Sequence, residues 1–244
     1  MRWFYFSILA LATAVVGRSA ESNIAVKTED GSQIAAELRN LVPASETTLQ
    51  GIIKRRDANR NERILKIVSK IIPQNNGWLT IYEALNADGS LYEELIIIHT
   101  ADEKNRYILT TAAENGVKKK DENPNLTTPF ADSDFLIGDL GLEFFHWKNQ
   151  QLIKTEMRKS RVCKVLESKP SETDRQLGYS RVVSWVDKET GGILIAEAYD
   201  NAEKKVKQFE VNSFKKDEKG NWQIEEIEIR NLILKTRTLL IFQP

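Results

Sequence analysis

The last third of the chain alternates between short apolar segments and short polar clusters, and this pattern predicts a sheet. The apolar segments are rich in β-branched and aromatic residues, and Gly, Asp, Asn or Lys clusters separate most of them. Because short turns cannot make parallel crossovers, neighbouring strands must run antiparallel. Six strands are expected at residues 161–167, 179–187, 192–199, 205–213, 222–230 and 235–242.

A second group of strand-like segments precedes this ladder. Each segment carries β-branched or aromatic residues, and one connection contains the Asp88-Gly89 pair, which favours a tight hairpin turn. Strands are expected at residues 47–57, 63–72, 78–85, 91–100 and 106–112. Together the two groups predict about eleven strands.

The side-chain alternation changes phase within the fifth segment of the ladder. The parity of the apolar positions shifts at Glu225-Glu226, because apolar residues stand at Trp222, Ile224, Ile227 and Ile229. A β-bulge inserts one residue into a strand and re-aims the side chains that follow it. We therefore expect a bulge here, and with it a local bend of the sheet.

Helical periodicity occurs in two places. Asp30 precedes an amphipathic stretch that Pro43 ends, and this predicts a helix over residues 31–41 with apolar positions at Ile34, Leu38 and Leu41. Residues 116–129 are polar and predict a surface loop. The following segment, 132–147, predicts a short helix or helix-turn that Gly138 and Gly141 weaken, with apolar spacing at Leu136, Leu140 and Phe144.

These elements predict a mainly β fold with few helices, of the α+β class. An open sheet of about eleven twisted strands tends to curl. A curled antiparallel sheet forms an unclosed β-barrel, and helices laid over its mouth would act as a lid over an apolar cavity.

The N-terminus has the pattern of a secretory signal peptide. Arg2 supplies a positive start, residues 3–16 are apolar, and small residues follow at Gly17 and Ser19. The apolar run is shorter than the roughly 20 residues of a membrane span. We expect cleavage near Ser19, which leaves residues 20–244 as one domain; an uncleaved anchor is the alternative.

The charge balance excludes electrostatic recognition of nucleic acid. The chain has 35 basic and 35 acidic residues. Removal of residues 1–19 takes away Arg2 and Arg18 and no acidic residue, which leaves a slight negative charge. A protein that binds nucleic acid through phosphates needs a basic surface instead.

The sequence contains no motif for catalysis, for a metal or for a cofactor. Cys163 is the single cysteine, and His99 and His146 are the only histidines, without metal-ligand spacing. Adjacent carboxylates such as Glu93-Glu94 point to opposite faces of a strand, so they cannot act as an acid–base pair. The expectation is a protein that is not an enzyme and that has no cofactor.

Several segments resemble the outer-membrane lipoprotein-sorting family, the LolA/LolB-like proteins. The similar pieces in the ladder are residues 162–167 (VCKVLE), 179–188 (YSRVVSWVDK), 196–200 (AEAYD) and 204–207 (KKVK). Before the ladder, Asp134-Phe135 and Asp139-Leu140 resemble the family's preceding segment, and Thr236 and Thr238 resemble its threonine-bearing final strand.

The resemblance implies a periplasmic carrier with a half-open barrel and a helical lid. Such a protein shelters acyl chains of lipoproteins or lipids, moves them toward the outer membrane and meets sorting partners at the inner or outer membrane. A monomer is expected. The alternative is an envelope-stress or regulatory module on the same fold that binds a protein partner. A third hypothesis is an enzyme that acts on an envelope polymer through Cys163 or through carboxylates that are distant in sequence and converge in space.

Bulky apolar residues at alternating strand positions are the candidates for lining the cavity. These are Leu79, Ile81, Leu95, Ile97, Val183, Trp185 and Ile195. The lid candidates come from the two helical segments and are Leu38, Leu41, Leu140 and Phe144.

Overall fold

One sheet of 13 strands forms the body of the protein in a computed structural model, which describes residues 30–100, 103–112, 117–216 and 222–243. All neighbouring strands are antiparallel. The sheet does not close into a barrel, which confirms the predicted fold class with two strands more than expected. The predicted signal peptide, residues 1–19, lies outside the described residues.

The strands fall into two runs along the chain. The first run is β1 (Thr47–Arg56), β2 (Glu62–Gln74), β3 (Gly77–Leu85), β4 (Leu91–Thr100), β5 (Arg106–Ala112) and β6 (Lys118–Asp121). The second run is β7 (Asn149–Arg158), β8 (Arg161–Lys169), β9 (Arg181–Asp187), β10 (Ile193–Tyr199), β11 (Lys205–Lys216), β12 (Trp222–Asn231) and β13 (Thr236–Gln243).

The first and the last of the described strands lie side by side in the middle of the sheet. The strand order is β6-β5-β4-β3-β2-β1-β13-β12-β11-β10-β9-β8-β7, so β6 and β7 are the two edges. The segment 122–148, which we call the insertion, joins these edges. Because its ends lie at opposite edges, it has to cross the sheet.

The first and last strands form the central seam. Gly51 of β1 lies opposite Phe242 of β13. A Cβ atom at Gly51 would stand 2.0 Å from the carbonyl oxygen of Ile241, so only glycine permits this approach of the two backbones.

Helix α1 (Gly31–Arg39) packs against β7 and the insertion. The Asp30 carboxylate caps it by accepting a hydrogen bond from the Ser32 N–H at 3.0 Å. Its buried side chains include Ile34 and Ala35. The helix ends two residues before the predicted end at Leu41, and the Arg39 guanidinium donates a hydrogen bond to the Phe145 carbonyl.

The insertion contains three short helical turns rather than one helix. They are a 3₁₀ turn at Phe130–Asp132, α2 (Ile137–Leu140) and a second 3₁₀ turn at Glu143–His146. Left-handed backbone at Ala131 (φ 53°) interrupts the first of these turns, and left-handed backbone at Leu142 (φ 51°) separates α2 from the last turn. The weak helix predicted for residues 132–147 therefore exists only as interrupted turns.

The two strands that the sequence did not predict are the edge strands. β6 is polar and fully exposed, and β7 is mostly exposed. An edge strand pairs on one side only, and charged residues on it prevent association with other chains. For that reason neither strand has the apolar alternation by which a buried strand is recognised.

The predicted bulge is present. The β11–β12 register shifts between Val211 and Ser213 and again between Ser213 and Phe214, opposite Ile227, Glu226 and Ile224. Ile224, Ile227 and Ile229 consequently all reach the same apolar cluster.

The main core lies between one face of the sheet and the insertion. We call this the inner face, and alternate residues of the strands from both runs contribute to it, together with Phe130, Phe135, Ile137, Leu140, Phe144, Phe145 and Trp147 of the insertion. A second, smaller cluster lies on the opposite, outer face and consists of Cys163, Val165, Val183, Trp185 and Leu194.

Candidate functional site

An apolar cavity lies between the insertion and the inner face of the second run of strands. It offers about 40 Å³ of space for the centres of water-sized molecules. On this scale one water needs about 10–15 Å³, so the cavity holds about three. Its walls are formed by Phe135, Asp139, Leu140, Leu142, Phe144, Tyr179, Val182, Ile193, Ala196, Ala198, Lys207, Phe209 and Ile229.

The sheet side of the cavity consists of alternate residues of four neighbouring strands. Val182 lies on β9, Ala196 and Ala198 on β10, Phe209 on β11 and Ile229 on β12. Side chains two apart on a strand share a face, so these residues point to one side. The two alanines leave the space that larger side chains would fill.

The insertion supplies the opposite wall. Leu140 and Phe144 are 3 % and 5 % exposed, and both reach the cavity. Phe144 also stacks at a tilt against Phe145, with ring centroids 4.5 Å apart. The cavity is therefore closed on this side by aromatic and aliphatic packing.

One buried ion pair stands at the otherwise apolar cavity. Lys207 of β11 is 7 % exposed, and its Nζ lies 2.9 Å from Oδ2 of Asp139 and 3.0 Å from the Asp134 carbonyl oxygen. The Tyr179 hydroxyl donates to Asp139 Oδ1 at 3.1 Å. Burial, with the Asp139 charge next in importance, raises the pKa of Tyr179 well above its usual value, so the hydroxyl stays protonated.

Asp139 also stabilises the insertion itself. Its Oδ2 accepts a hydrogen bond from the Leu136 N–H at 3.0 Å and thereby caps α2. The same carboxylate thus orders the insertion and attaches it to β11.

A second buried carboxylate attaches the insertion to the last strand. Asp134, 4 % exposed, accepts hydrogen bonds from the hydroxyls of Thr236 and Thr238 on β13. The Asp134 N–H in turn donates to Thr238 Oγ1 at 2.9 Å. We call Asp134, Asp139, Thr236, Thr238 and Lys207 the polar anchor.

Further polar contacts attach the insertion to the first run of strands. Asp132 pairs with Arg63 of β2 and accepts a hydrogen bond from the Tyr92 hydroxyl at 2.6 Å. On β4, the Glu93 carboxylate accepts from the Ala131 N–H, and burial raises the pKa of Glu93. The insertion is therefore bonded to strands on both sides of the central seam.

A separate pair of polar contacts links the start of β5 to the insertion around its second 3₁₀ turn. The Tyr107 hydroxyl donates to Glu143 at 2.8 Å, and the Asn105 amide donates to the Gly141 carbonyl at 2.7 Å. Burial raises the pKa of Glu143 to about 6. Nearby on β4, His99 stacks on Trp78 with centroids 4.3 Å apart.

The lid candidates divide into two pairs. Leu140 and Phe144 line the cavity. Leu38 packs at the margin of the main core, and Leu41 follows the end of α1; neither lines the cavity.

The seven predicted cavity residues do not line this cavity, although all lie in the strands expected. Leu95 and Ile97 point to the inner face and are fully buried in the main core. Val183 and Trp185 belong to the outer-face cluster, and Ile195 packs against it. Leu79 and Ile81 alternate with the inner-face residues Tyr82 and Ala84, so they lie on the outer face. A ligand contact for any of the seven stays a prediction.

Sequence reasoning missed the residues that make the cavity distinctive. Lys207 and Asp139 lie in segments that carry the family resemblance, but no spacing rule pairs two residues 68 positions apart. Ala196 and Ala198 have small side chains, which an argument from bulky apolar residues passes over.

Cys163 is a buried residue of the outer-face cluster. Its side chain is 0 % exposed, and burial raises the pKa of the thiol. A thiol in that environment is a weak nucleophile. Within the described residues, His, Cys, Asp and Glu side chains form no group of three or more suited to a metal ion.

The part of the chain that the structure describes contains no helix with the length and apolar character needed to cross a membrane.

Comparison with known proteins places the fold. A family model described as "uncharacterized protein" matches residues 94–244, which is more than half of the chain, whereas no curated protein matches. Among solved structures, a domain named for outer membrane lipoprotein sorting from Vibrio parahaemolyticus has 19 % identity and a TM-score of 0.71, covering 88 % of this chain and 90 % of that chain.

Two further structures are similar. A DUF1329 family protein from Desulfovibrio piger has 17 % identity and a TM-score of 0.67, covering 87 % of this chain and 90 % of its own. A LolA superfamily protein from Nitrosomonas europaea has 15 % identity and a TM-score of 0.60, covering 89 % and 93 %. The chain therefore belongs to the family that the matching model describes, and it has the fold of the LolA superfamily, as its sequence resemblance predicted.

Proposed function

We propose that the protein is a periplasmic carrier that shelters the acyl chains of lipoproteins or lipids between its sheet and its insertion. The observation that carries this proposal is the apolar cavity between β9–β12 and the insertion, in which almost every wall residue is aliphatic or aromatic. The similar structures named for lipoprotein sorting and for LolA support a fold suited to this task.

The physical gain is the removal of an acyl chain from water. Each buried CH₂ group contributes about 0.8 kcal/mol, so a chain of ordinary length needs an enclosed apolar site to cross an aqueous compartment. Burial of this kind needs no reactive side chain and no cofactor.

The size of the cavity requires a movement of the insertion. A space for about three waters is too small for a long acyl chain. The insertion forms one wall and is attached through the polar anchor, so outward movement of its aromatic residues would enlarge the cavity while the sheet remains intact. In this interpretation the insertion lies in its closed position against the sheet.

The polar anchor contributes to this proposal through its chemistry. Lys207 is a buried cation at a cavity that is otherwise apolar, and it is held by Asp139 and the Asp134 carbonyl oxygen. The carboxylate or phosphate end of a lipid can replace such partners, whereas the alkyl chain occupies the apolar part.

Binding of a fluorescent fatty-acyl probe to the purified protein tests the proposal. We expect micromolar or tighter binding and displacement of the probe by a long-chain lipid. Ala196→Phe fills the cavity and is expected to weaken probe binding at least roughly tenfold. Ala87→Phe, in the exposed β3–β4 turn, is the matched control and should bind as the unchanged protein does.

Absence of probe binding at micromolar lipid would count against a carrier. If the protein instead captures a protein partner from an envelope extract without any lipid, the regulatory module becomes the better hypothesis. Equal probe affinity in the Ala196→Phe variant would show that the acyl chain binds elsewhere.

A further inference from the structure

The tip of the β12–β13 hairpin exposes three consecutive aliphatic side chains. Leu232, Ile233 and Leu234 are 39 %, 53 % and 58 % exposed. The other strongly exposed apolar residues of the described chain occur singly along the sequence, and scattered apolar residues are normal on a protein surface. A run of three at a projecting turn is a different feature, and we call it the apolar tip.

The backbone of the apolar tip is already hydrogen-bonded. The Asn231 side-chain oxygen accepts from the N–H groups of Ile233 at 3.1 Å and Leu234 at 3.0 Å. The Leu232 N–H donates to the Val206 carbonyl at 2.9 Å. An unpaired N–H group is strongly unfavourable in an apolar environment, so internal pairing is the condition for placing a turn in lipid.

The apolar tip stands next to the cavity. Ile229, which lines the cavity, precedes Asn231 by two residues on β12. Asn231 lies opposite Lys207 in the β11–β12 pair, and Thr236, just beyond the tip, contacts Asp134 of the insertion. A surface that received the tip would therefore lie close to the polar anchor and the cavity.

Basic side chains flank the aliphatic ones. Lys235 follows the tip directly, and it forms no ion pair among the described residues. Arg230 and Arg237 lie on the two strands behind it and share Glu228. Aliphatic residues at the front with cations behind them suit the boundary between lipid tails and phosphate head groups.

We propose that residues 232–234 insert into the surface of a lipid bilayer and hold the cavity against it. Two features favour lipid over a protein groove as the binding surface. The backbone N–H groups of the tip are already hydrogen-bonded within the protein, and its side chains are purely aliphatic, whereas the hot spots of protein interfaces are rich in Trp, Tyr and Arg. This inference rests on the proposed function for its purpose, since a carrier has to meet the membrane where its cargo leaves. Membrane attachment itself is measured independently of cargo binding.

Co-sedimentation with vesicles of phosphatidylethanolamine and phosphatidylglycerol tests attachment. We expect the protein to bind these vesicles and the double variant Ile233→Ser with Leu234→Ser to bind at least roughly tenfold more weakly. The matched control is Met157→Ser with Val162→Ser, an exposed apolar pair that lies opposite across β7 and β8. This control should bind vesicles as the unchanged protein does.

A fluorescent label reports the position of the tip directly. Cys163 is fully buried, so Ile233→Cys offers one accessible thiol for a polarity-sensitive dye. Its emission should shift to shorter wavelength and increase when vesicles are added. The same dye at Thr48→Cys, an exposed position of β1, should show no shift.

Each failure has a separate meaning. The inference is overturned if the unchanged protein does not bind vesicles, if the tip variant binds equally well, or if the label at position 233 stays in water. The tip variant should retain acyl-probe binding, because residues 232–234 do not line the cavity. Vesicle binding without any probe binding would sink the carrier proposal and leave membrane attachment standing.

Discussion

Thr238 and Asp134 are joined by two reciprocal hydrogen bonds across 104 residues of chain. The Thr238 hydroxyl donates to Asp134 Oδ2 at 2.9 Å and accepts from the Asp134 N–H at 2.9 Å. Both residues are buried. One threonine of β13 is therefore bonded directly, through two hydrogen bonds, to the insertion that closes the cavity.

Replacement of this hydroxyl should destabilise the protein. Thr238→Val keeps the side-chain volume but leaves the buried Asp134 N–H without its partner and removes a bond to the carboxylate, so we expect a loss of about 2–3 kcal/mol in the free energy of unfolding. Urea denaturation measures it. Thr48→Val, at an exposed position of β1, is the control and should stay within about 0.5 kcal/mol. A loss no larger than that of the control would show that the anchor bonds are dispensable.

The Lys207–Asp139 pair is expected to show strong coupling. Lys207→Met leaves the Asp139 carboxylate buried without a counter-ion, and such a change costs about 3–5 kcal/mol. Addition of Asp139→Asn removes the uncompensated charge and should restore a large part of that loss. A double-mutant cycle measured by urea denaturation gives the coupling energy. Additive effects of the two substitutions on the free energy of unfolding would contradict the expected coupling.

Acidification should destabilise the protein through two histidines. Burial lowers the pKa of His99 to about 3 and that of His146 to about 4, from an ordinary value of 6.5. Both rings stay neutral in the folded protein at a pH where the unfolded chain binds protons, so stability decreases as the pH falls below 6.5. Glu143 acts oppositely, because its raised pKa of about 6 lets the folded protein take up a proton first.

For the three groups together we expect the free energy of unfolding to fall by roughly 2–3 kcal/mol between pH 7 and pH 5. Urea denaturation at a series of pH values measures this slope. His146→Gln should make it shallower and Glu143→Gln should make it steeper. If the free energy of unfolding of the unchanged protein did not vary between pH 7 and pH 5, the shifted pKa values of these three groups would be refuted.

The two halves of the predicted lid should differ in ligand binding. Phe144 lines the cavity, whereas Leu38 packs at the margin of the core. Phe144→Ser is therefore expected to weaken acyl-probe affinity by about tenfold or more and Leu38→Ser by less than about threefold. Titration with the probe, at a temperature where both variants are folded, measures the two affinities. Equal losses would mean that α1 takes part in binding.

The central seam should not tolerate a methyl group. Gly51→Ala places a Cβ atom against the Ile241 carbonyl, and backbone cannot move aside as a side chain can. We expect a loss of at least about 2 kcal/mol in the free energy of unfolding. Gly89→Ala is the control, because nothing lies within 4 Å of its Cβ position and only the positive φ of 85° opposes it. A larger effect at Gly89 than at Gly51 would contradict this account.

The strands with buried faces could be predicted from sequence because burial enforces an apolar pattern. All eleven expected segments became strands, and the phase change at Glu225-Glu226 became a register shift. β6, with Lys118–Asp121, could not be predicted, since an exposed edge requires no apolar residue.

The face of each strand that meets the insertion was harder to predict than the position of the strand in the sequence. β3 has apolar residues on both faces, with Leu79 and Ile81 on one and Trp78 and Tyr82 on the other. Alternation establishes which residues share a face, but it cannot tell which of two apolar faces meets the insertion. The correct choice depends on the path of residues 122–148, and this path is a tertiary property.

The sequence drew attention to residues of the polar anchor but not to their contacts with one another. Asp134, Asp139, Thr236 and Thr238 stand in segments that carry the family resemblance. Their meeting across the core depends on the sheet order, which places β13 and β11 two strands apart, with β12 between them.

The pairing of β1 with β13 also determines how the molecule can be assembled. Among the described strands, β1 is made first and pairs with β13, which is made last, so this edge of β1 has no permanent partner until β13 is available. Contacts of such high sequence separation slow folding and expose unpaired strand edges in the meantime. During synthesis, the emerging chain therefore carries a β1 edge that stays open until β13 pairs with it, and loss of β13 would leave two half-sheets instead of one.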